Sequence, residues 1–569
     1  MGMNLLGNLR GVLGNDSPAS PRRAVVLFLL FLFIALSLLP LLSSGFYSDD
    51  ITDSIVKSRL SLKGVSLGEH LVYRAQIWLR NGRVMPLGHQ FISTIAWLFP
   101  QAFTAKVFIL CLILLNVALF GALVFKLTGN RDAALLSMAV VPVFFQFRIY
   151  HDPILSFYGF QQYLWTLILL SLWLLVEYVN RGKLIRLLAS VGFFNLALYS
   201  YEIGFVFVVA IVFIVADHYN YSDVRSIAVK ASPYLLSVFL YLWTVAVIRI
   251  VLPATHQNYT GVKASFDFLL VFKTFLAQFS AALPLSYFFF NPSFLFSHDA
   301  WSVVRGIEFL DLILCAFMLT VVIANFRFGV NRKIAFKLSM LGLSTWVLLS
   351  LVISFSQKYQ QELSGSLGLG YIPVYIEYFF ALLFFLGVYS LIMGWIGHRG
   401  LKFLINGVLL AALSTGLLVN LQNNRKVIAA SNAETHYKMV AVENALRSGL
   451  LAPVPEGSKL FVVDTSRCDL YPYVKPELTY WSQLQWNSIQ RDLYHKYSGK
   501  KFDVYLKKSE VEKGLRADPK NFDRFYLLEI YSDELLPKER PAALRLTKFR
   551  PRVLNRFGIS LGTKAPKKP

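Results

Sequence analysis

Residues 24–42 read "AVVLFLLFLFIALSLLPLL", nineteen positions without one charge. A helix of about 20 apolar residues crosses a bilayer. This run is too long for the apolar region of a secretory signal, and no small-x-small cleavage site follows, so it is expected to stay as a first membrane helix. The rest of the chain repeats the pattern. Of its 569 residues 56% are hydrophobic and 16% are charged, where globular proteins carry about 25% charged residues. Mean hydropathy is +0.52. The chain is therefore expected to be a polytopic membrane protein.

The net charge of +23 is explained by basic residues held on the cytoplasmic side of membrane helices, so no nucleic-acid partner is expected. Three cysteines, Cys111, Cys315 and Cys468, are too few and too scattered for a disulfide framework or a cysteine zinc site.

Arg10, Arg22 and Arg23 precede the first run and place the N-terminus, residues 1–23, in the cytoplasm. Spans are expected near 24–43, 104–126, 133–149 and 161–179. Residues 187–216 are too long for one span and hold "LYSYEIGF" at their middle. They should break into two helices with Glu202 at the outer turn, since a lone charge at mid-bilayer costs about 3 kcal/mol. Further spans are expected near 231–252, 308–326, 335–355, 374–395 and 402–421, with 266–290 re-entrant or lying on the surface. That makes about eleven spans, a transmembrane domain of residues 24–422 with a long first outer loop at 44–103, and an extracytoplasmic C-terminus. From residue 423 the composition changes. "ETHYKMVAVENALRSG" has helical spacing, whereas "SKLFVVD", "KFDVYL" and "DRFYLLEI" read as strands. A small soluble α/β domain is expected over 423–540. Residues 541–569 hold eight Lys or Arg and no acid, a basic tail that is either solvated or in contact with anionic lipid.

Unusual polar residues collect at the outer helix ends. "FYSDD" follows the first helix and supplies Asp49 and Asp50; "YHDP" follows the third and supplies Arg148 (just before it), His151 and Asp152. Glu202, Arg83, Lys358 and Tyr371 lie on the same side. A carboxylate can take a proton from a hydroxyl or ligate a divalent cation, and cationic or phenolic groups can hold a phosphate. Asp50 and Asp152 permit Mg²⁺ or Mn²⁺. Each feature also has a structural explanation: Asp–Pro is a common turn, an acid pair often opens a solvated loop, and Glu202 could simply bridge to a neighbouring helix.

These motifs resemble those of the GT-C superfamily of integral-membrane glycosyltransferases, among them protein O-mannosyltransferases and lipid A aminoarabinose transferases. An acidic "YSDD" follows helix 1, the long outer loop carries "GRVMPLG", a second acidic "YHDP" ends helix 3, a broken helix pair holds "YSYEIG", and a late "GYIPVYIEY" precedes a helix. The resemblance covers about residues 20–420. It implies a polyprenyl-phosphate sugar donor, an acceptor glycan, lipid or protein of the cell envelope, catalysis on the extracytoplasmic face of the inner membrane, inversion at the anomeric carbon, and Asp49 or Asp50 as catalytic base. Arg83, Arg148, His151, Asp152, Glu202, Lys358 and Tyr371 would bind substrate or its phosphate. Some relatives carry Lys where this chain has Glu202, so Glu202 needs a metal or a cationic partner such as Arg148 or Lys358. The two acidic motifs are expected to meet in one outer pocket. The alternatives are an O-antigen polymerase or ligase, and a non-enzymatic flippase or transporter of lipid-linked sugar.

Overall fold

The computed structural model describes residues 21–47, 49–149, 152–219, 223–252, 261, 263–290, 304–325, 331–363, 367–432, 436–464, 489–517, 523–531 and 543–548. The chain begins with α1 (Pro21–Ser37) and the single turn α2 (Leu39–Leu42). Four helices follow: α3 (Asp50–Asp53), α4 (Val56–Lys63), α5 (Leu67–Arg80) and α6 (Pro86–Leu98). Then come α7 (Ala102–Thr128), α8 (Arg131–Phe144), α9 (Phe160–Arg181), α10 (Leu184–Ser200), α11 (Val208–Tyr219) and α12 (Val224–Val251). The next group is α13 (Phe268–Ala281), α14 (Ser286–Phe290), α15 (Phe309–Asn325), α16 (Arg332–Ser354), α17 (Gln357–Leu363), α18 (Val374–Trp395) and α19 (Arg399–Ser431). The last part holds α20 (Tyr437–Arg447), β1 (Lys459–Asp464), β2 (Asp503–Tyr505), α21 (Lys508–Ala517), β3 (Phe525–Tyr531) and β4 (Ala543–Lys548).

Among the described residues six helices are long and apolar enough to cross a membrane: α7, α9 with the turn before it, α12, α16, α18 and α19. Parts or all of α1, α10, α13 and α15 are shorter apolar helices. The chain thus combines an all-α, membrane-type domain with a small C-terminal sheet.

The turns explain the breaks. At "KLTGNRD", Gly129 takes the left-handed conformation (φ +66°) and Asn130 accepts the Ala133 N–H at 3.1 Å. Gly ends α7 without a Cβ penalty and Asn caps α8. The expected split of 187–216 is present: α10 stops at Ser200, and Glu202–Phe207 forms a 3-10 segment before α11.

The third span departs from expectation. It ends at Phe144, with Pro142 in its last turn, and 145–149 run without helix. Side-chain amides hold this segment in place of a helix's own carbonyls. Asn420 donates to the Val143 carbonyl at 2.5 Å. Asn424, one turn further along α19, accepts from the Phe147 N–H at 2.8 Å and donates to the Phe145 carbonyl at 3.0 Å. Gln146 donates to the Leu283 carbonyl at 2.8 Å and accepts from the Tyr287 N–H at 3.0 Å. A segment buried away from water must find such partners.

α16 and α18 pack backbone to backbone through one glycine from each. A Cβ on Gly342 would lie 2.5 Å from the Phe384 nitrogen, and one on Gly387 would lie 2.6 Å from the Ala335 carbonyl oxygen. Small residues allow this approach between apolar helices. Gly342→Leu should force the pair apart and sharply lower the yield of folded protein in detergent extracts, measured by size-exclusion profile; Gly192→Leu, at a position with nothing within 4 Å of its Cβ, should leave the profile intact.

The chain divides into two compact units. One comprises residues 1–43, 71–95 and 103–428; the other comprises 44–70, 96–102 and 429–569. The division places residues 44–70 and 96–102 with the C-terminal sequence, where composition alone had put the boundary near 423. Inside the second unit Gly45 N–H donates to Asn432 Oδ1 at 2.9 Å. Arg59 Nε pairs with Asp492 Oδ2 at 2.8 Å, and Ser58 Oγ donates to the Asp492 carbonyl at 2.9 Å.

The sheet of this unit has the order β2-β1-β3-β4. β1 runs parallel to both β2 and β3, and β4 is antiparallel to β3. The three expected strands are all present. Phe461 of β1 packs with Val511 and Leu515 of α21 and with Phe525 and Leu527 of β3. β4 was not expected, because it lies in the stretch read as the start of the basic tail. Its "ALRLTK" alternates Leu544 and Leu546 with Arg545 and Thr547, the period of a strand, but the surrounding charge masks it. Residues 549–569 lie outside the described residues.

Candidate anion-binding cleft

The residues singled out from sequence are divided between the two units. Asp49 and Asp50 belong to the second unit. Asp49 precedes the first turn of α3, and Asp50 and Asp53 are buried within it. His151 lies outside the described residues. The remaining six belong to the first unit and form three pairs: Arg83 with Glu202, Arg148 with Asp152, and Lys358 with Tyr371.

Arg83 follows the turn that ends α5, and Glu202 opens the 3-10 segment after α10. Arg83 Nη2 pairs directly with Glu202 Oε1. The cationic partner that Glu202 needs is thus Arg83, not Arg148 or Lys358. The guanidinium carbon lies 5.5 Å from the Trp78 ring centre and 5.8 Å from that of Tyr201, so two aromatic faces fix the charge as well. Trp78 also stacks on His89, with centres 4.2 Å apart and planes 5° from parallel. Burial, reinforced by the charges of Arg74 and Arg83, holds His89 well below the usual imidazole range, so this ring stays neutral.

Arg83 and Glu202 line an open cleft of ≈ 350 Å³ together with Arg249 and Lys263. Phe205, Leu242, Val245 and Phe355 give it an apolar wall. Arg249, near the end of α12, donates from Nε to the Gly82 carbonyl at 3.2 Å. Tyr241, two turns earlier, donates from its hydroxyl to the Val84 carbonyl at 3.0 Å. These bonds tie the Gly82–Val84 turn to α12. Lys263 is set by a short antiparallel bridge: the Gln357 N–H donates to the Lys263 carbonyl at 2.9 Å, and the Ser265 N–H donates to the Phe355 carbonyl at 2.8 Å. Three cations therefore face one carboxylate. Glu202 Oε2 is buried and makes no hydrogen bond among the described residues. A concave site with excess positive charge beside an apolar wall suits an anionic headgroup on a hydrocarbon chain.

Arg249 and Lys263 were missed from sequence.

Arg148 and Asp152 lie elsewhere and are fully buried, each 0% exposed. Asp152 accepts backbone N–H groups on both oxygens: Arg148 on Oδ2, and Ile154 and Leu155 on Oδ1 at 2.6 and 2.5 Å. Burial pushes its carboxyl up to about 6, against the pull of these donors and of the Arg148 charge. Arg148 Nη2 donates to the Ala281 carbonyl at 2.9 Å and to the Tyr378 hydroxyl at 3.0 Å. This geometry shapes the loop after α8. Asp152→Asn would turn an amide N–H₂ toward a backbone N–H that now has an acceptor. A loss of about 1–3 kcal/mol of stability is expected, measurable as a lower melting temperature in detergent.

The third pair sits at the start of α18. Lys358 Nζ lies 5.6 Å from the Tyr371 ring centre and 3.8 Å from Glu362 Oε1. The Tyr371 N–H donates to Gln278 Oε1 at 2.7 Å, and the Gln278 amide donates to Glu377 Oε1 at 3.1 Å. Glu377 is thus bound into a polar network that also includes the Ser350 hydroxyl at 3.2 Å.

Among the described residues no group of three or more His, Cys, Asp or Glu could hold a metal ion, and Asp152 commits both carboxylate oxygens to backbone donors. Compared with known proteins, the chain matches no protein-family profile and no curated protein.

Proposed function

We propose that the chain is a membrane glycosyltransferase that moves a sugar from a polyprenyl-phosphate donor to a cell-envelope glycan, lipid or protein acceptor. In this proposal it crosses the inner membrane about eleven times, with its N-terminus in the cytoplasm and its chemistry on the extracytoplasmic face. The observation that carries the proposal is the cleft of Arg83, Arg249 and Lys263 beside an apolar wall, which has the two properties a prenyl phosphate requires.

The acceptor hydroxyl oxygen attacks the anomeric carbon and forms the new glycosidic bond. The bond from that carbon to the phosphate oxygen breaks, and the electron pair leaves with the phosphate. Arg83, Arg249 and Lys263 stabilise the charge that develops there, an effect strongest where water is excluded. By the resemblance, Asp49 or Asp50 takes the acceptor proton. A carboxylate within reach of the acceptor hydroxyl can do so.

Sugar transfer from a polyprenyl-phosphate sugar in proteoliposomes tests this. Asp49→Asn or Asp50→Asn should lower turnover by a factor of about 10²–10⁴, the usual worth of a general base. Unchanged transfer in both would remove the assignment of the base. Movement of an intact lipid-linked sugar across the bilayer, without its cleavage, would replace the transferase with a flippase.

A further inference from the structure

A second cationic centre stands apart from the cleft, at the ends of α7, α9 and α10. Glu177 of α9 is its hub. Lys126 of α7 reaches Glu177 Oε1 at 2.5 Å, Arg186 of α10 reaches Oε2 at 2.9 Å, and Arg181 reaches Oε2 at 3.4 Å. One carboxylate cannot balance three cations. Lys126 and Arg186, with side chains 22% and 21% exposed, explain themselves as a clamp joining three helices. Arg181 does not: its side chain is 58% exposed and its approach is the longest of the three. Lys183, the next cation along the chain, is exposed and makes no ion pair among the described residues. These two leave a net positive patch on the surface.

The neighbouring surface is apolar. Leu184, Ile185 and Leu188, in the first turns of α10, are 63%, 69% and 59% exposed. Large aliphatic side chains directly after two exposed cations match the two parts of an anionic phospholipid, a charged phosphate and an acyl chain. A soluble phosphate would use the cations and leave the aliphatic surface bare. A zwitterionic lipid would use the aliphatic surface and bring its own cation to a patch already in positive excess.

We infer that the ends of α9 and α10 form a binding site for an anionic phospholipid, whose phosphate is held by Arg181 and Lys183 and whose acyl chain lies along Leu184, Ile185 and Leu188. The inference does not depend on the transferase proposal, because none of its residues lines the cleft.

Native mass spectrometry of the full-length protein in mild detergent, titrated with dioleoyl phosphatidylglycerol or dioleoyl phosphatidylcholine, tests the site. The wild-type protein should retain phosphatidylglycerol at least about fivefold better, and the double variant Arg181→Gln/Lys183→Gln should lose most of that preference. Both positions are exposed, so its melting temperature should match the wild type. The double variant Lys513→Gln/Arg516→Gln, two exposed cations of α21, should keep the preference. Equal retention of the two lipids by the wild type, an unchanged preference in the Arg181→Gln/Lys183→Gln protein, or displacement of phosphatidylglycerol by millimolar inorganic phosphate would each overturn the inference.

Discussion

Arg83→Gln is expected to reduce sugar transfer about a hundredfold or more, the largest functional effect of any single change in the cleft. Two losses combine. A cation positioned for the donor phosphate disappears, and Glu202 loses the one cation that pairs with it directly. The Glu202 side chain is 39% exposed, so water tempers the cost of the charge left behind, yet that charge still lines the cleft. The remaining carboxylate then repels the phosphate it should help to seat. This cause has its own signature. In the double variant Arg83→Gln/Glu202→Gln the stranded charge is gone, and transfer should recover by about tenfold over Arg83→Gln alone. Lys263→Gln, which removes a cation without stranding an acid, should cost only about tenfold and act mainly on KM for the donor. Kinetics in proteoliposomes, with melting temperature as a folding control, would measure all three. Equal losses for Arg83→Gln and Lys263→Gln, with no recovery in the double variant, would contradict the assigned electrostatics.

Arg148→Met should act on folding instead. The guanidinium is fully buried, donates to the Ala281 carbonyl and the Tyr378 hydroxyl, and lies 5.9 and 6.0 Å from the Tyr287 and Tyr378 ring centres. It is also the cation that partly offsets the buried Asp152. Removing one member of a buried charged set costs about 3–5 kcal/mol. That is a large share of a typical folding free energy of about 5–15 kcal/mol. The expected result is a protein that extracts poorly and melts well below the wild type. Arg148→Lys should rescue little, because an ammonium cannot repeat the forked, flat contacts of a guanidinium. A stable Arg148→Met protein with lost transfer would instead give this residue a direct part in the chemistry.

What could be read from sequence followed from the strength of each local signal. Long apolar runs bounded by basic turns located the helices, and the break at "YSYEIG" was visible because Glu202 interrupts a stretch too long for one span. β1, β2 and β3 were visible as short apolar runs between polar turns. Four features were not. The end of α8 at Phe144 depends on Asn420 and Asn424, nearly three hundred residues later in the chain. β4 is hidden by its basic surroundings. The pairing of Arg83 with Glu202 and the approach of Arg249 and Lys263 to them are set by packing of distant segments. The same holds for the division into units, which joins residues 44–70 to those after 428. Periodicity and composition act over one or two turns, so contacts of this range leave no trace in them.

The long-range bonds of the second unit also impose an order on biosynthesis. Gly45 waits for Asn432, and Arg59 waits for Asp492, which are 387 and 433 positions later. As the chain leaves the ribosome, the early piece of that unit emerges first and finds its mates only when translation is almost complete. Throughout that interval Ile51, Ile55 and Leu60, buried in the finished protein, lack most of the unit to which they belong. A ribosome stalled between codons 428 and 490 would therefore carry helices already made and a half-built second unit, the state in which a chaperone or a protease would find the most to hold.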